Sequence, residues 1–155
     1  MRKLIAPIVA VALLAAVAPA AEAVKGTPYK GKTTGGHRIT FNLFKNRMWN
    51  FLTGVPTTCL PIQGGGSPMT GAEPVNWRWV DLGLKTYEFS DEVKPSFHYN
   101  EVTMNHTVST RRGRNGTVSG AIRLQYQFMI PKYPIGTFTI YSCLGNMKFT
   151  ARPAR

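Results

Sequence analysis

Acidic residues are scarce: seven Asp and Glu stand against nineteen Lys and Arg in 155 residues, for a net charge of +12. So few carboxylates leave little material for a glycosidase, which needs two of them about 5–10 Å apart across the scissile bond. Cysteine is scarcer still, with only Cys59 and Cys143. Neither the close spacing nor the neighbouring ligands of a metal pair or a catalytic thiol accompany them. Beyond the N-terminal stretch, no segment is apolar enough to cross a bilayer as a helix, which takes ~20 residues. Helical periodicity is absent there too, which argues against helical bundles and alternating α/β architectures.

Catalytic motifs are also missing. Ser67, in Gly65-Gly66-Ser67-Pro68-Met69, lacks the second glycine of a nucleophile elbow. The run Gly64-Gly65-Gly66 has no following Lys-Ser/Thr and no helix to hold an anion, so it reads as a flexible loop. The histidines are His37, His98 and His106. His98 and His106 share parity on an extended stretch, but at ~3.3 Å per residue they are too far apart to chelate one ion unaided. No metal site and no cofactor are expected. Asn105-His106-Thr107 and Asn115-Gly116-Thr117 match the glycan acceptor pattern, which matters only in a eukaryotic secretory pathway.

What is present begins with an export signal. Arg2 and Lys3 precede an apolar run from Leu4 to Val17, and Ala21-Glu22-Ala23 offers small residues at the positions a signal peptidase reads. Residues 1–23 are expected to be removed, leaving 24–155 as one secreted domain. Loss of Arg2, Lys3 and Glu22 changes 19 basic and 7 acidic residues to 17 and 6, a net +11. In an oxidising compartment the two cysteines allow one internal pairing, Cys59–Cys143. Closing a loop of 84 residues contributes roughly 4.5 kcal/mol in the chain-entropy treatment.

The remaining chain alternates with a period of two. Val118, Ile122, Leu124, Tyr126 and Phe128 fall on one face of a strand from Thr117 to Met129, and Ser119, Arg123, Gln125 and Gln127 on the other. Ile39, Phe41 and Leu43 alternate with Arg38, Thr40 and Asn42; Lys45-Asn46-Arg47 then reads as a turn before a returning strand, Met48 to Thr53. Further strands are expected over Tyr99–Thr110, Thr137–Cys143 and Lys148–Ala151, with Asn115-Gly116 as a hairpin turn. Gly54 to Asn76, with four prolines and a glycine run, reads as a long surface loop tethered at Cys59. The fold class is all-β: an antiparallel sandwich of about seven to nine strands, alternatively a barrel, stapled by one disulfide.

Certain segments carry a resemblance: Tyr29-Lys30-Gly31-Lys32-Thr33, Ile39-x-Phe41-x-Leu43, Cys59, Val118-Ser119-Gly120-x-Ile122, Gly136-Thr137-Phe138, Cys143-Leu144-Gly145 and Phe149-Thr150-Ala151. In these the chain resembles small secreted actinobacterial two-cysteine β-sandwich proteins of unknown function. Residues 73–110 depart from that pattern. The resemblance implies a fold and an extracellular address, and supplies no activity.

Two surface features are candidate binding sites. Trp77-Arg78-Trp79 places two indoles on one side of a strand and a guanidinium on the other, a platform for sugar rings or lipid head groups if the indoles do not pack into the core. Arg111, Arg112 and Arg114 gather at a hairpin tip, where they would either grip phosphates or carboxylates or form a solvated turn. The sequence therefore favours a secreted or envelope-associated, non-enzymatic protein that binds an anionic envelope polymer, a lipid surface or a protein partner; nucleic acid is not the expected ligand. The alternatives are a small carbohydrate-active hydrolase using Glu88, Asp91, Glu92 and Glu101, and a secreted inhibitor or effector acting through the Gly54–Asn76 segment.

Overall fold

The computed structural model describes residues 26–82, 86–96, 101–132 and 136–154. The expected export signal, Val24 and His98 lie outside the described residues. Among the described residues eight antiparallel strands follow in order: β1 (Thr27–Thr33), β2 (Arg38–Phe44), β3 (Arg47–Gln63), β4 (Met69–Asp81), β5 (Thr86–Val93), β6 (Val102–Arg112), β7 (Val118–Lys132) and β8 (Thr137–Pro153). Their spatial order is β4-β3-β2-β1-β8-β7-β6-β5, and an extra pairing between β3 and β8 closes β1, β2, β3 and β8 into a four-stranded barrel. The other four strands lie outside the ring: β4 continues from β3, and β7, β6 and β5 continue from β8.

Two 17-residue strands make the closure, because each changes partner midway. The first half of β3 pairs with β2, ending at Leu52 opposite Thr40, and its second half pairs with β8 from Thr57 opposite Gly145. Likewise β8 pairs with β3 through Gly145 and with β1 from Phe149 onward. β4 follows β3 along its other edge, from Asp81 opposite Arg47 to Met69 opposite Cys59. Cys59 and Cys143 face each other in the β3–β8 ladder, Cα atoms 4.0 Å apart, and form the disulfide.

The segment Gly54–Asn76 is therefore not a loop. It forms the far half of β3 and most of β4, joined by a turn at residues 64–68. Its prolines misled because each occupies a place where a ladder can spare an N–H. Pro56 lies between the β2-paired and β8-paired halves of β3, Pro61 adjoins a register shift, and Pro74 is on the outermost strand β4. The alternation is present in Thr53, Val55, Thr57 and Cys59, all buried, but threonine at half the positions disguised it. The glycine run is held rather than loose: Lys132 Nζ donates to the Gly64 and Gly65 carbonyls at 2.7 and 2.8 Å, and Thr139 Oγ1 donates to Gly65 at 2.6 Å.

Alternation otherwise sets the core as expected. Ile39, Phe41 and Leu43 of β2 and Val118, Ile122, Leu124, Tyr126 and Phe128 of β7 are all buried. A column of rings crosses the interior, with Tyr29 on Phe41 (5.0 Å), Phe41 on Phe51 (5.9 Å) and Phe51 on Trp77 (5.0 Å). Trp77 then meets Phe89 and His106 edge-on. Gly120 leaves room for this packing, since a Cβ there would come within 2.8 Å of the Phe149 ring.

Candidate functional site

One irregularity decides where the indoles go. Asn50 has a left-handed φ of 51°, and the β2–β3 register shifts between Thr40 and Asn42 at the same level. A bulge of this kind turns the following side chains onto the other face. Met48 and Phe51 both enter the core, as do Val80 and Trp77 opposite them on β4. Trp77 is thereby buried at 5 % exposure, while Trp79 stands 37 % exposed. Both indoles border one groove, but they do not form an exposed pair: Trp77 is packed in the core and only Trp79 stands out, because period-two counting does not survive the bulge. Trp79 instead carries the Arg47 guanidinium over its ring at 4.9 Å and lies 5.9 Å from Tyr87. Arg78 and Trp79 border a groove with Asn76, Tyr87, Phe89 and Asp91.

The arginine cluster also divides. Arg111 and Arg112 are adjacent in an extended strand, so they point to opposite faces. Arg111 lines a groove on the outer face with Lys148. Arg112 has the parity of buried Met104, His106 and Val108, and emerges where that core face reaches the end of the barrel. It borders a cleft of about 510 Å³ with Tyr29, Phe44 and Lys45. Arg114 is exposed in the turn, which is closed by Gly116 N donating to Gly113 O at 3.1 Å and Thr117 N donating to Asn115 Oδ1 at 3.1 Å. Tyr29 Oη donates to Gly116 O at 2.8 Å, which fixes this turn beside the cleft.

The other wall of the cleft is the tip of the β2–β3 hairpin. Phe44 follows Leu43, so alternation sends it outward, where it is 44 % exposed. Lys45 takes a left-handed φ of 54° to turn the chain, and its Nζ sits 5.6 Å from the Phe44 ring centre. On the far side of this tip, Phe44, Lys45 and Arg47 border a second groove with Trp49 and Asp81, and Arg47 Nε is 3.7 Å from Asp81 Oδ2. The hairpin tip is thus a ridge between the two features expected from the sequence, with Arg112 on one flank and Trp79 under Arg47 on the other. Phe44 was legible only as the end of a strand, and Lys45 and Arg47 only as a turn. The available signal was parity, since Phe44 falls on the outward side of β2 with Arg38, Thr40 and Asn42.

The carboxylates do not gather. Asp91 lies in the groove beside Trp79, Glu101 lines a separate cleft with Tyr126 and Gln127, and Glu88 and Glu92 occupy the opposite face of β5 from Asp91. Glu73 is buried inside the fold at 1 % exposure; it accepts from Tyr126 Oη (2.7 Å) and from Ser96 N (2.8 Å). Burial, then the hydrogen bond to Glu73 and its charge, push the Tyr126 phenol well above its ordinary value.

His106 is buried with its ring stacked on Phe89 at 4.6 Å. Its Nε2 is 3.8 Å from Asp91 Oδ2, beyond hydrogen-bond reach. Burial lowers its pKa, and Asp91 opposes that shift in part. Among the described residues, no group of three His, Cys, Asp or Glu side chains could hold a metal ion. No helix is long and apolar enough to cross a membrane among the described residues. Comparison with protein-family models, curated proteins and solved structures returns no match.

Proposed function

We propose that the protein is a secreted or envelope-associated binding protein, not an enzyme, that holds an anionic polymer or surface where the β2–β3 and β6–β7 hairpins meet. The observation that carries this reading is the shared cleft. Lys45 and Arg112, distant in sequence, border one cavity, and no acidic side chain among the described residues lines it. Two like charges on one concave wall repel each other, and an anion seated between them relieves that repulsion. Arginine adds a planar fork suited to phosphate or carboxylate oxygens.

The test is binding to immobilised heparin at low salt, comparing Lys45→Ser/Arg112→Ser with Arg111→Ser/Lys148→Ser. Both variants lose two positive charges, from different grooves. The first is expected to weaken binding about tenfold more than the second, a difference of about 1.4 kcal/mol. Equal losses, or a larger loss from the second variant, would move the site away from this cleft.

A further inference from the structure

The Phe44 side chain adds a chemical requirement that charge alone does not supply, and it identifies the surface; this inference rests on the reading just given. A ring 44 % exposed at the crest of a hairpin, on a strand face otherwise carrying Arg38, Thr40 and Asn42, contributes nothing to the core. Lys45 stands over it, Arg47 follows the turn, Arg112 borders the same cleft from the neighbouring hairpin, and Arg114 is exposed in that hairpin's turn. Tyr29 ties that second hairpin in place through Gly116. The local shape is a ridge with a cleft on either side, so the ring reaches outward between the cations rather than lying at the bottom of a groove.

A soluble polyanion would engage the cations and gain little from such a ring. An anionic bilayer engages both. Aromatic side chains settle at the boundary between head groups and acyl chains, and Lys and Arg beside them meet the lipid phosphates. We propose that this end of the barrel docks on an anionic phospholipid membrane, with Phe44 entering the head-group layer and Lys45, Arg112 and Arg114 on the phosphates. One partly inserted ring with three or four cations gives reversible association, since stable anchoring takes stronger or additional signals.

The experiment is cosedimentation of the disulfide-bonded protein with phosphatidylcholine vesicles and with mixed phosphatidylcholine–phosphatidylglycerol vesicles, alongside heparin binding. The expected result is binding to the mixed vesicles only, weakened about tenfold by Phe44→Ser while heparin affinity is unchanged. A Phe44→Trp variant is expected to keep vesicle binding and show a blue shift of emission that the parent lacks. Heparin binding without vesicle binding, or equal vesicle binding by parent and Phe44→Ser, or no blue shift in Phe44→Trp, would overturn membrane docking and leave the charge reading intact. Failure to bind either material would overturn both.

Discussion

Tyr126 Oη donates a 2.7 Å hydrogen bond to Glu73 Oε1 and itself lies 3.7 Å from Cys59 Sγ. Strands β7, β4 and β3 therefore meet at one buried polar point. Ser96 N donates to the other carboxylate oxygen, Glu73 Oε2, at 2.8 Å, so the chain leaving β5 is held against β4. A buried carboxylate is costly unless its oxygens are hydrogen-bonded, and here each has a donor.

Breaking that point should be more damaging than neutralising it. Tyr126→Phe removes one donor and leaves buried Glu73 short of a partner, at an expected cost of about 2–3 kcal/mol. Glu73→Gln keeps a carbonyl to accept at least one of the two bonds and should cost less. Urea denaturation of both variants checks this, and a Gln variant less stable than the Phe variant would contradict it. Above about pH 10 the unfolded chain releases the Tyr126 proton while the folded protein retains it. Stability is thus complete below that pH and falls above it.

His106 gives the opposite dependence at the acid end. Its pKa is lowered by burial, so the unfolded chain takes up the proton first as pH drops. Stability is present above the ordinary value of about 6.5 and is lost progressively below it. His106→Phe keeps the stacking on Phe89 and has nothing to protonate, so it should be at least as stable at pH 5 as the parent and flatten the pH profile. Thermal melts between pH 5 and 8 are the measurement; an unchanged slope in this variant would rule out His106 as its source. Asp91→Asn should steepen the acid loss, because Asp91 is the group that opposes the shift.

The disulfide closes a long loop and both sulfurs are fully buried. Reductant alone should leave it intact, and reductant with denaturant should release two thiols. Cys59→Ser/Cys143→Ser is expected to lose up to about 4.5 kcal/mol in the chain-entropy treatment. Two thiols titrating in the native protein would refute the staple.

Much of the fold was legible because β2 and β7 alternate without interruption and because two cysteines have one way to pair. The rest was hidden by specific local chemistry. Prolines 56, 61 and 74 read as breakers, yet each sits at a partner switch, beside a register shift or on the outermost strand. The bulge at Asn50 separated Trp77 from Trp79, and no residue pattern announced it, since asparagine tolerates positive φ in turns as readily as in strands. Arg111 and Arg112 were grouped in a turn because the strand was expected to end at Thr110; it runs on to Arg112, and its parity puts them on different faces. Convergence of Lys45 with Arg112 was beyond reach, because it depends on which hairpins share an end of the barrel.

Placement of positive charge, rather than its total, is the central claim. The most direct measurement compares Lys45→Ser/Arg112→Ser with Lys94→Ser/Arg123→Ser, which remove equal charge from the cleft and from exposed positions elsewhere. Heparin affinity should be measured from ~0.01 M to physiological salt, across which the Debye length shrinks from ~30 to ~8 Å. The expected result is a loss of about tenfold or more at low salt for the cleft variant and less than about threefold for the dispersed one. Equal losses in the two variants would contradict the claim and leave bulk charge as the only source of binding.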